Sequence, residues 1–442
     1  MKSLNILFFE RIRSKFENSQ LFSSFIFTLG GSGISKLLLI VATFYCSNTL
    51  SELEFGEFSF VRNTLNMILC ICALNFCNLV TKFTAEAKDS VRSLSRLVLL
   101  LLFSLFVSLC IGVSLALMKD AWMIKLLEYR DFIEYFRIAG LLLPFFMLQP
   151  LIEGVLRGVK QFKLIGVLQI FSSLLFILFI AIGIWYDNSR GAILGMYIYY
   201  FVYTVISVLS LILLKDIRQY DYKSISLKRE IRTLYDMILP VFILSFVEAP
   251  IFWWLQVLLA RHATVEAIGC MTIMKQIRNF SVLIPNYFVS TYLAFATELN
   301  IKKKYDLYFE RFDKYSLLFL GVGCALVLIF SVFGQFILGL YGDGYPKYWY
   351  SLVLSNFCIP IVLVLCMIKM ELIIQEHQKQ LLFISFFWNV LWIVLFEVFV
   401  RLGIPALESF FYSEVLAVAV QLILCYYLYY MDKKRLLLNQ TK

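Results

Sequence analysis

Residues Tyr235–Arg261 read YDMILPVFILSFVEAPIFWWLQVLLAR. The stretch is apolar over about 25 residues, enough to cross a bilayer at about 1.5 Å per residue. Pro240, Glu248 and Pro250 lie inside the apolar run, and a tryptophan pair, Trp253 and Trp254, follows them. Two prolines and a carboxylate in such a run predict a broken or kinked helix beside a water-filled cavity. The longest basic segment of the chain, Lys215–Asp236, comes just before. It is expected to be the hinge between two halves, with this helix the first of the second half.

Composition places the rest of the chain in the same medium. Of 442 residues, 61% are hydrophobic and 16% charged, in long apolar runs, which describes a polytopic membrane protein and no soluble domain. No polar segment between the runs exceeds about 25 residues, too short for a domain of ordinary size. The N-terminus, MKSLNILFFERIRSKFENSQ, lacks the order of a signal peptide and reads as a basic, amphipathic surface segment. The ten cysteines sit mostly within apolar runs, and Cys70-x-Cys72 has no partner cluster, so they read as small buried hydrophobes. His262 and His377, at expected loop edges, are too few and too far apart for a metal centre. No metal and no cofactor are expected.

Twelve spans are predicted, at 21–46, 57–80, 94–118, 135–156, 164–186, 191–214, 236–260, 267–297, 315–340, 348–374, 380–400 and 405–430. With both termini in the cytoplasm, the cytoplasmic segments hold 28 Lys and Arg and the opposite side 7. That bias supports the orientation and the even count. It also turns the net charge of +10 into a topology signal rather than a nucleic-acid footprint. The expected organisation is an amphipathic segment 1–20, an N-lobe 21–214, a basic linker 215–235, a C-lobe 236–430 and a basic tail 431–442.

A repeat runs through the two lobes. Gly56 and Arg62 match Gly269 and Lys275 at an offset of 213; Glu153 and Gln161 match Glu371 and Lys379 at 218; Gly191 and Tyr200 match Gly403 and Tyr412 at 212. Three pairings in order at nearly one offset predict two six-helix lobes. An even number of spans per lobe puts their pseudo-two-fold axis along the membrane normal, with a cavity between the bundles.

Charges inside spans carry the functional information, since each costs about 2.5–3.5 kcal/mol on insertion scales and normally faces protein or water. Lys36 lies deep in the first span, after Gly30, Gly31 and Gly33. Arg62, Lys275 and Arg278 lie in the first turns of spans two and eight, and Lys275 and Arg278, three apart, share a helix face. Together these residues are candidates to ring a cationic cavity opening to the outside. Snorkelling to outer headgroups is the bland alternative for Arg62, Lys275 and Arg278, and a buried ion pair is the one for Lys36. Glu248 is the acidic candidate, as partner of Lys36, as a coupling-ion site, or as an acceptor for backbone freed by Pro250. Glu397 and Glu414 are weaker candidates, while Glu153 and Glu371 are expected to be solvated at the cytoplasmic mouth. Enzymatic signatures are absent: the longest outer loop, Met118–Tyr135, spans about 17 residues, and no phosphate-cradling glycine loop appears.

The chain resembles the O-antigen (Wzx-type) polysaccharide-lipid flippases, in the multidrug/oligosaccharidyl-lipid/polysaccharide exporter superfamily. The resemblance rests on LSELEFGEFSFVRN (Leu50–Asn63), RGVKQFKLIGVLQI (Arg157–Ile170), LPVFILSFVEAPIFWW (Leu239–Trp254), the Glu266–Gly269 turn before MTIMKQIRN, LYGDGYPKYW (Leu340–Trp349) and Gly403–Tyr412. It implies translocation of undecaprenyl-pyrophosphate-linked oligosaccharide units from the cytoplasmic to the periplasmic leaflet of the bacterial inner membrane. It further implies alternating access, coupling to protons or Na+ with Glu248 as the coupling group, and traffic with a polysaccharide polymerase and chain-length machinery. No nucleic acid is implied. A multidrug cation antiporter of the same superfamily would favour acids over Lys and Arg in its cavity, and a membrane polymerase would need larger outer loops.

Overall fold

The computed structural model describes residues 20–73, 76–87, 91–120, 133–214, 230–233, 238–283, single residues between 285 and 299, 305–375 and 377–440. Helix is the regular structure throughout, and no strand occurs among the described residues. The chain divides into two compact units: residues 1–46 with 61–245, and residues 47–60 with 246–442.

In the first unit, α1 (Gln20–Thr49) leads to α2 (Glu52–Cys72), α3 (Cys77–Ala87) and α4 (Val91–Leu117). These are followed by α5 (Ile133–Phe146), α6 (Leu148–Gly158) and the long run α7 (Phe162–Leu213). The α7 run is two arms, because Asp187 (φ −156°, ψ 53°) and Asn188 (φ 39°, ψ −126°) leave the helical region. Asn is among the residues that accept positive φ most readily. The arms pack backbone to backbone, since a Cβ at Gly183 would collide with the carbonyl of Gly191 and the reverse. Trp185 and Tyr186, 86% and 83% exposed at this turn, suit a membrane interface.

The second unit holds α8 (Leu239–His262), α9 (Val265–Ser281), α10 (Tyr305–Gly339) and α11 (Trp349–Asn356). After these come α12 (Cys358–Ile374), α13 (Gln378–Arg401) and α14 (Ala406–Gln440). The α8 helix runs unbroken through Pro250, so the expected break is corrected. Pro240 occupies its first turn, where a missing N–H costs nothing.

Every one of the twelve expected segments overlaps described helix, and eight helical runs are long and apolar enough to cross a membrane by length and composition. Their outward faces carry large apolar side chains, Leu117 77%, Leu317 69% and Phe383 70% exposed. Surfaces of that kind belong in lipid, and the protein is a multi-pass membrane protein.

The helix of the second span begins at Glu52, ahead of the expected 57, because Ser51 and Glu54 form a capping box: Ser51 N–H donates to Glu54 Oε2 (2.9 Å) and Glu54 N–H to Ser51 Oγ (3.3 Å). Helix α14 continues to Gln440, through most of the expected tail 431–442. Most of the expected linker 215–235 lies outside the described residues, as does segment 1–19. The two compact units divide inside α8, after Ser245, and residues 47–60 belong with the second unit.

That short segment is clasped from several sides. Asn48 Nδ2 donates to Leu340 O (2.8 Å), and Lys347 pairs with Glu52 (2.9 Å). Phe55 meets Tyr345 edge-on (6.3 Å). Gly56 lies on the backbone of Val265, and a Cβ at Gly269 would stand 3.3 Å from Gly56 Cα, so the two glycines matched by the repeat touch.

A Cβ at Gly56 would lie 2.6 Å from the Val265 carbonyl carbon, which is backbone and cannot swing aside. Gly56→Val is therefore expected to lower the melting temperature of the detergent-purified protein by several degrees, for an overpacking cost of about 1–3 kcal/mol. Gly30→Ala, whose Cβ would meet open space, is expected to leave it unchanged. Equal melting of Gly56→Val and the parent would refute this close packing.

Candidate functional site

Cationic side chains in the middle of spans have to be placed first, because they are the costliest groups to bury. Arg62 lies ten residues into α2, and Lys275 and Arg278 ten and thirteen residues into α9. At about 1.5 Å per residue that is about 15–20 Å from each helix start. The corrected start of α2 thus moves Arg62 away from the first turn and weakens the snorkelling alternative.

In the second unit Lys275 and Arg278 meet Glu414 of α14. Arg278 donates from Nη1 (2.9 Å) and Nη2 (2.7 Å) to the two carboxylate oxygens, a bidentate fork. Nη1 also reaches Ser355 O at 3.3 Å, and Lys275 Nζ stands 3.4 Å from Glu414 Oε1. The three side chains are only 15%, 11% and 7% exposed. Three aromatic rings surround the Lys275 ammonium, with centroids at 3.8 Å (Phe252), 4.8 Å (Trp392) and 5.1 Å (Phe410). Such faces stabilise a desolvated cation by about 2 kcal/mol or more. Two cations share one carboxylate, so the cluster keeps one net positive charge.

In the first unit the guanidinium of Arg62 lies over the ring of Phe176, 5.4 Å from its centroid. Phe176 meets Tyr199 edge-on (5.1 Å), and Ser172 and Tyr199 share a hydroxyl hydrogen bond (2.6 Å). Tyr200 approaches Asn66 at 3.5 Å. Among the described residues no carboxylate reaches ion-pair distance of Arg62. Lys36 is exposed on α1, and it too has no ion pair among the described residues. Its neighbours Ser32 and Ser35 fasten α1 to α7 through Gln169 (2.9 Å) and Ser173 (2.6 Å). At Gly31 the α1 backbone comes so close to Gly166 that a Cβ would clash. The glycines before Lys36 thus supply one close packing site, while Gly30 and Gly33 face open space.

Nearby, Gln149, Glu153, Gln169, Tyr203 and Ser207 help to line a cavity of about 10 Å³, room for about one water. Glu153 is engaged rather than free, accepting from Arg157 (2.5 Å) and Gln169 (3.0 Å).

The sequence-derived residues fall as follows. Lys275 and Arg278 come together, as their spacing predicts. Lys36 and Arg62 share the first unit without contact among the described atoms. Glu248 lies within α8, but its side chain is outside the described residues. Glu414, a minor candidate from sequence, is the carboxylate that organises the second cluster. Glu397 stands 3.5 Å from His262. Glu371, expected to be solvated, is fully buried.

The comparisons with known proteins bear on the whole arrangement. A model of the family described as "Polysaccharide biosynthesis protein" matches residues 21–294, more than half of the chain. The chain belongs to that family. No curated protein sequence matches it. Among solved structures it is similar to an inward-facing multidrug resistance MATE family transporter of the MOP superfamily, at 14% identity and a TM-score of 0.74, over 91% of this chain and 95% of that one. An outward-facing MATE family transporter of the same superfamily gives 14% identity and a TM-score of 0.62, over 93% and 96%. A MOP superfamily transporter from Pyrococcus furiosus, described as having a binding pocket of reverse polarity, gives 14% and 0.60, over 93% and 96%. The fold is MATE-like, and the family is that of polysaccharide biosynthesis proteins.

Removing Glu414 would strand two buried cations. Glu414→Ala is expected to destabilise the purified protein by about 3–5 kcal/mol, the cost of breaking a buried pair from one side. The double variant Arg278→Met/Glu414→Gln, which removes charge from both sides, is expected to recover most of the lost melting temperature. A double variant no more stable than Glu414→Ala would show that the pairing is not what holds this region.

Proposed function

We propose that the chain is a flippase for undecaprenyl-pyrophosphate-linked O-antigen repeat units. It moves them from the cytoplasmic to the periplasmic leaflet of the bacterial inner membrane, by alternating access driven by a proton or Na+ gradient. The observation that carries this reading is the cation excess of the spans. Arg62 and Lys36 have no carboxylate partner among the described residues, and Lys275 and Arg278 share only Glu414. A pyrophosphate crossing an apolar medium needs compensating positive charge, and an uncompensated guanidinium on an aromatic floor supplies it at little reorganisation. In this reading Lys36 and Arg62 in the first unit and Lys275 and Arg278 in the second are the substrate-binding cations, and Glu248 is the coupling acid. Membership of a polysaccharide biosynthesis family agrees with a glycan-lipid substrate.

The MATE-like fold alone fits a multidrug cation exporter equally well. Charge separates the two readings, since a site for organic cations should present acids in excess.

The test is surface-glycan profiling of a strain lacking the gene, with lipid-linked intermediates assigned to leaflets, complemented by variants. Arg62→Gln and Lys36→Gln are each expected to cut export at least about tenfold, the loss of about one charge-assisted contact, with normal protein in the membrane. Arg62→Lys should retain part of it. Normal surface glycan in the deletion strain together with gained drug sensitivity would overturn the flippase reading in favour of the multidrug exporter.

A further inference from the structure

Away from the cation clusters, the second unit buries an acid that nothing above uses. Glu371, on the last turn of α12, is 0% exposed. Its Oε1 accepts from Gln375 Nε2 at 3.3 Å, and its Oε2 has no hydrogen-bond partner among the described residues. No cation pairs with it among the described residues. Asp432 of α14, itself 4% exposed, is close enough to act on Glu371 electrostatically. His377, at the N-cap of α13, brings Nε2 to 2.7 Å from Asp432 Oδ2 without hydrogen-bond alignment and is 20% exposed. Arg435 reaches the other Asp432 oxygen at 3.1 Å.

The remaining charged groups nearby are committed elsewhere. Asp313 of α10 is held by Lys433 (2.6 Å) and by the hydroxyl of Tyr429 (3.0 Å). Lys369, two residues before Glu371, lies 3.2 Å from the side-chain oxygen of Gln421. Tyr292 is the further titratable group within electrostatic reach of Glu371.

We propose that Glu371, His377 and Asp432 form a proton-binding site in the second unit. A fully buried carboxyl with a second carboxylate in electrostatic reach and no cation paired with it among the described residues holds a proton more readily than a charge. The idle Oε2 of Glu371 is the signature, since a buried acceptor without a donor is tolerated when the acid is neutral. At 20% exposure and in contact with Asp432, His377 is the route by which protons reach the buried acid. Imidazole is the usual proton shuttle among side chains. The site joins α12, α13 and α14, so its protonation changes the charge at the meeting point of three helices. Only the consequence, that this proton drives transport, rests on the reading under Proposed function.

The experiment is infrared difference spectroscopy on the purified full-length chain in lipid nanodiscs, stepping the pH from acid to alkaline without substrate. The expected result is a neutral carboxylic C=O band at neutral pH that disappears in Glu371→Gln and persists in Glu397→Gln. In His377→Gln and Asp432→Asn the pH at which the band converts is expected to move by about one unit, the effect of losing one neighbouring charge. A spectrum of Glu371→Gln identical to that of the parent would overturn the proposal. So would a band lost in Glu371→Gln but unmoved by either of the other variants, which would make Glu371 an isolated buried acid. Neither outcome depends on which substrate is carried. Melting curves of the isosteric variants, expected to match the parent, exclude unfolding as the cause of a lost band.

Discussion

The sharing of one carboxylate, Glu414, between Lys275 and Arg278 is the interaction on which the second unit depends. Taking three charged groups out of water costs more than a bundle of helices can spare unless each one finds partners. Here each of the three finds partners. The arginine is forked on both carboxylate oxygens, and the lysine leans on three aromatic faces. This fastens α9 to α14, elements more than a hundred residues apart in the chain. The cluster keeps one positive charge in excess, which the proposed anionic substrate would meet. The first unit reaches the same end differently. Arg62 has a ring for a neighbour instead of an acid, so its charge is spent on no fixed partner.

Residues 47–60 tie the two halves of the sequence together in a way that a count of six spans and six does not foresee. The capping box at Ser51 and Glu54 starts α2 early, and the early turns carry Phe55 and Gly56 onto α9 and the turn before it. The same chain then continues as the first unit from Val61. The fastenings of residues 47–60 are of two kinds. The backbone contact at Gly56 is intolerant of any added atom, whereas the Glu52–Lys347 pair is half-exposed and worth little by itself.

Much of this was legible in the sequence. Apolar runs gave the helices, since hydropathy over twenty residues reports the medium directly. The repeat offset picked out Gly56 with Gly269, which meet, and Arg62 with Lys275, which sit equally far along their helices. The signal for the start of α2 was also present as Ser-x-x-Glu, but the apolar run that follows begins later and dominates a hydropathy reading. Pro250 misled in the other direction: a proline removes one hydrogen bond and need not end a helix that neighbours support. Glu414 could not be ranked from spacing, because its partners lie 136 residues away and only tertiary packing brings them together. Glu371 was misplaced for a related reason. Near the end of an apolar run it looks solvated, but α14 continues ten residues past its own run, and that extension brings Asp432 within electrostatic reach of it.

The two kinds of charge then divide along the chain in a way that physics makes useful. Cations with no committed acid lie at mid-helix, where an anionic head group would gain most from them. Glu371, an acid with no cation paired to it among the described residues, lies at the end of α12, where in the proposal above a histidine with partial access to water exchanges its proton. Were the acids beside the cations, they would neutralise one another and neither could bind anything else. At Glu414 that neutralisation occurs, and it holds two helices together. Glu414 and Asp432 stand on the same helix, α14, eighteen residues apart, which makes it the rigid element through which protonation at one end can be felt at the other.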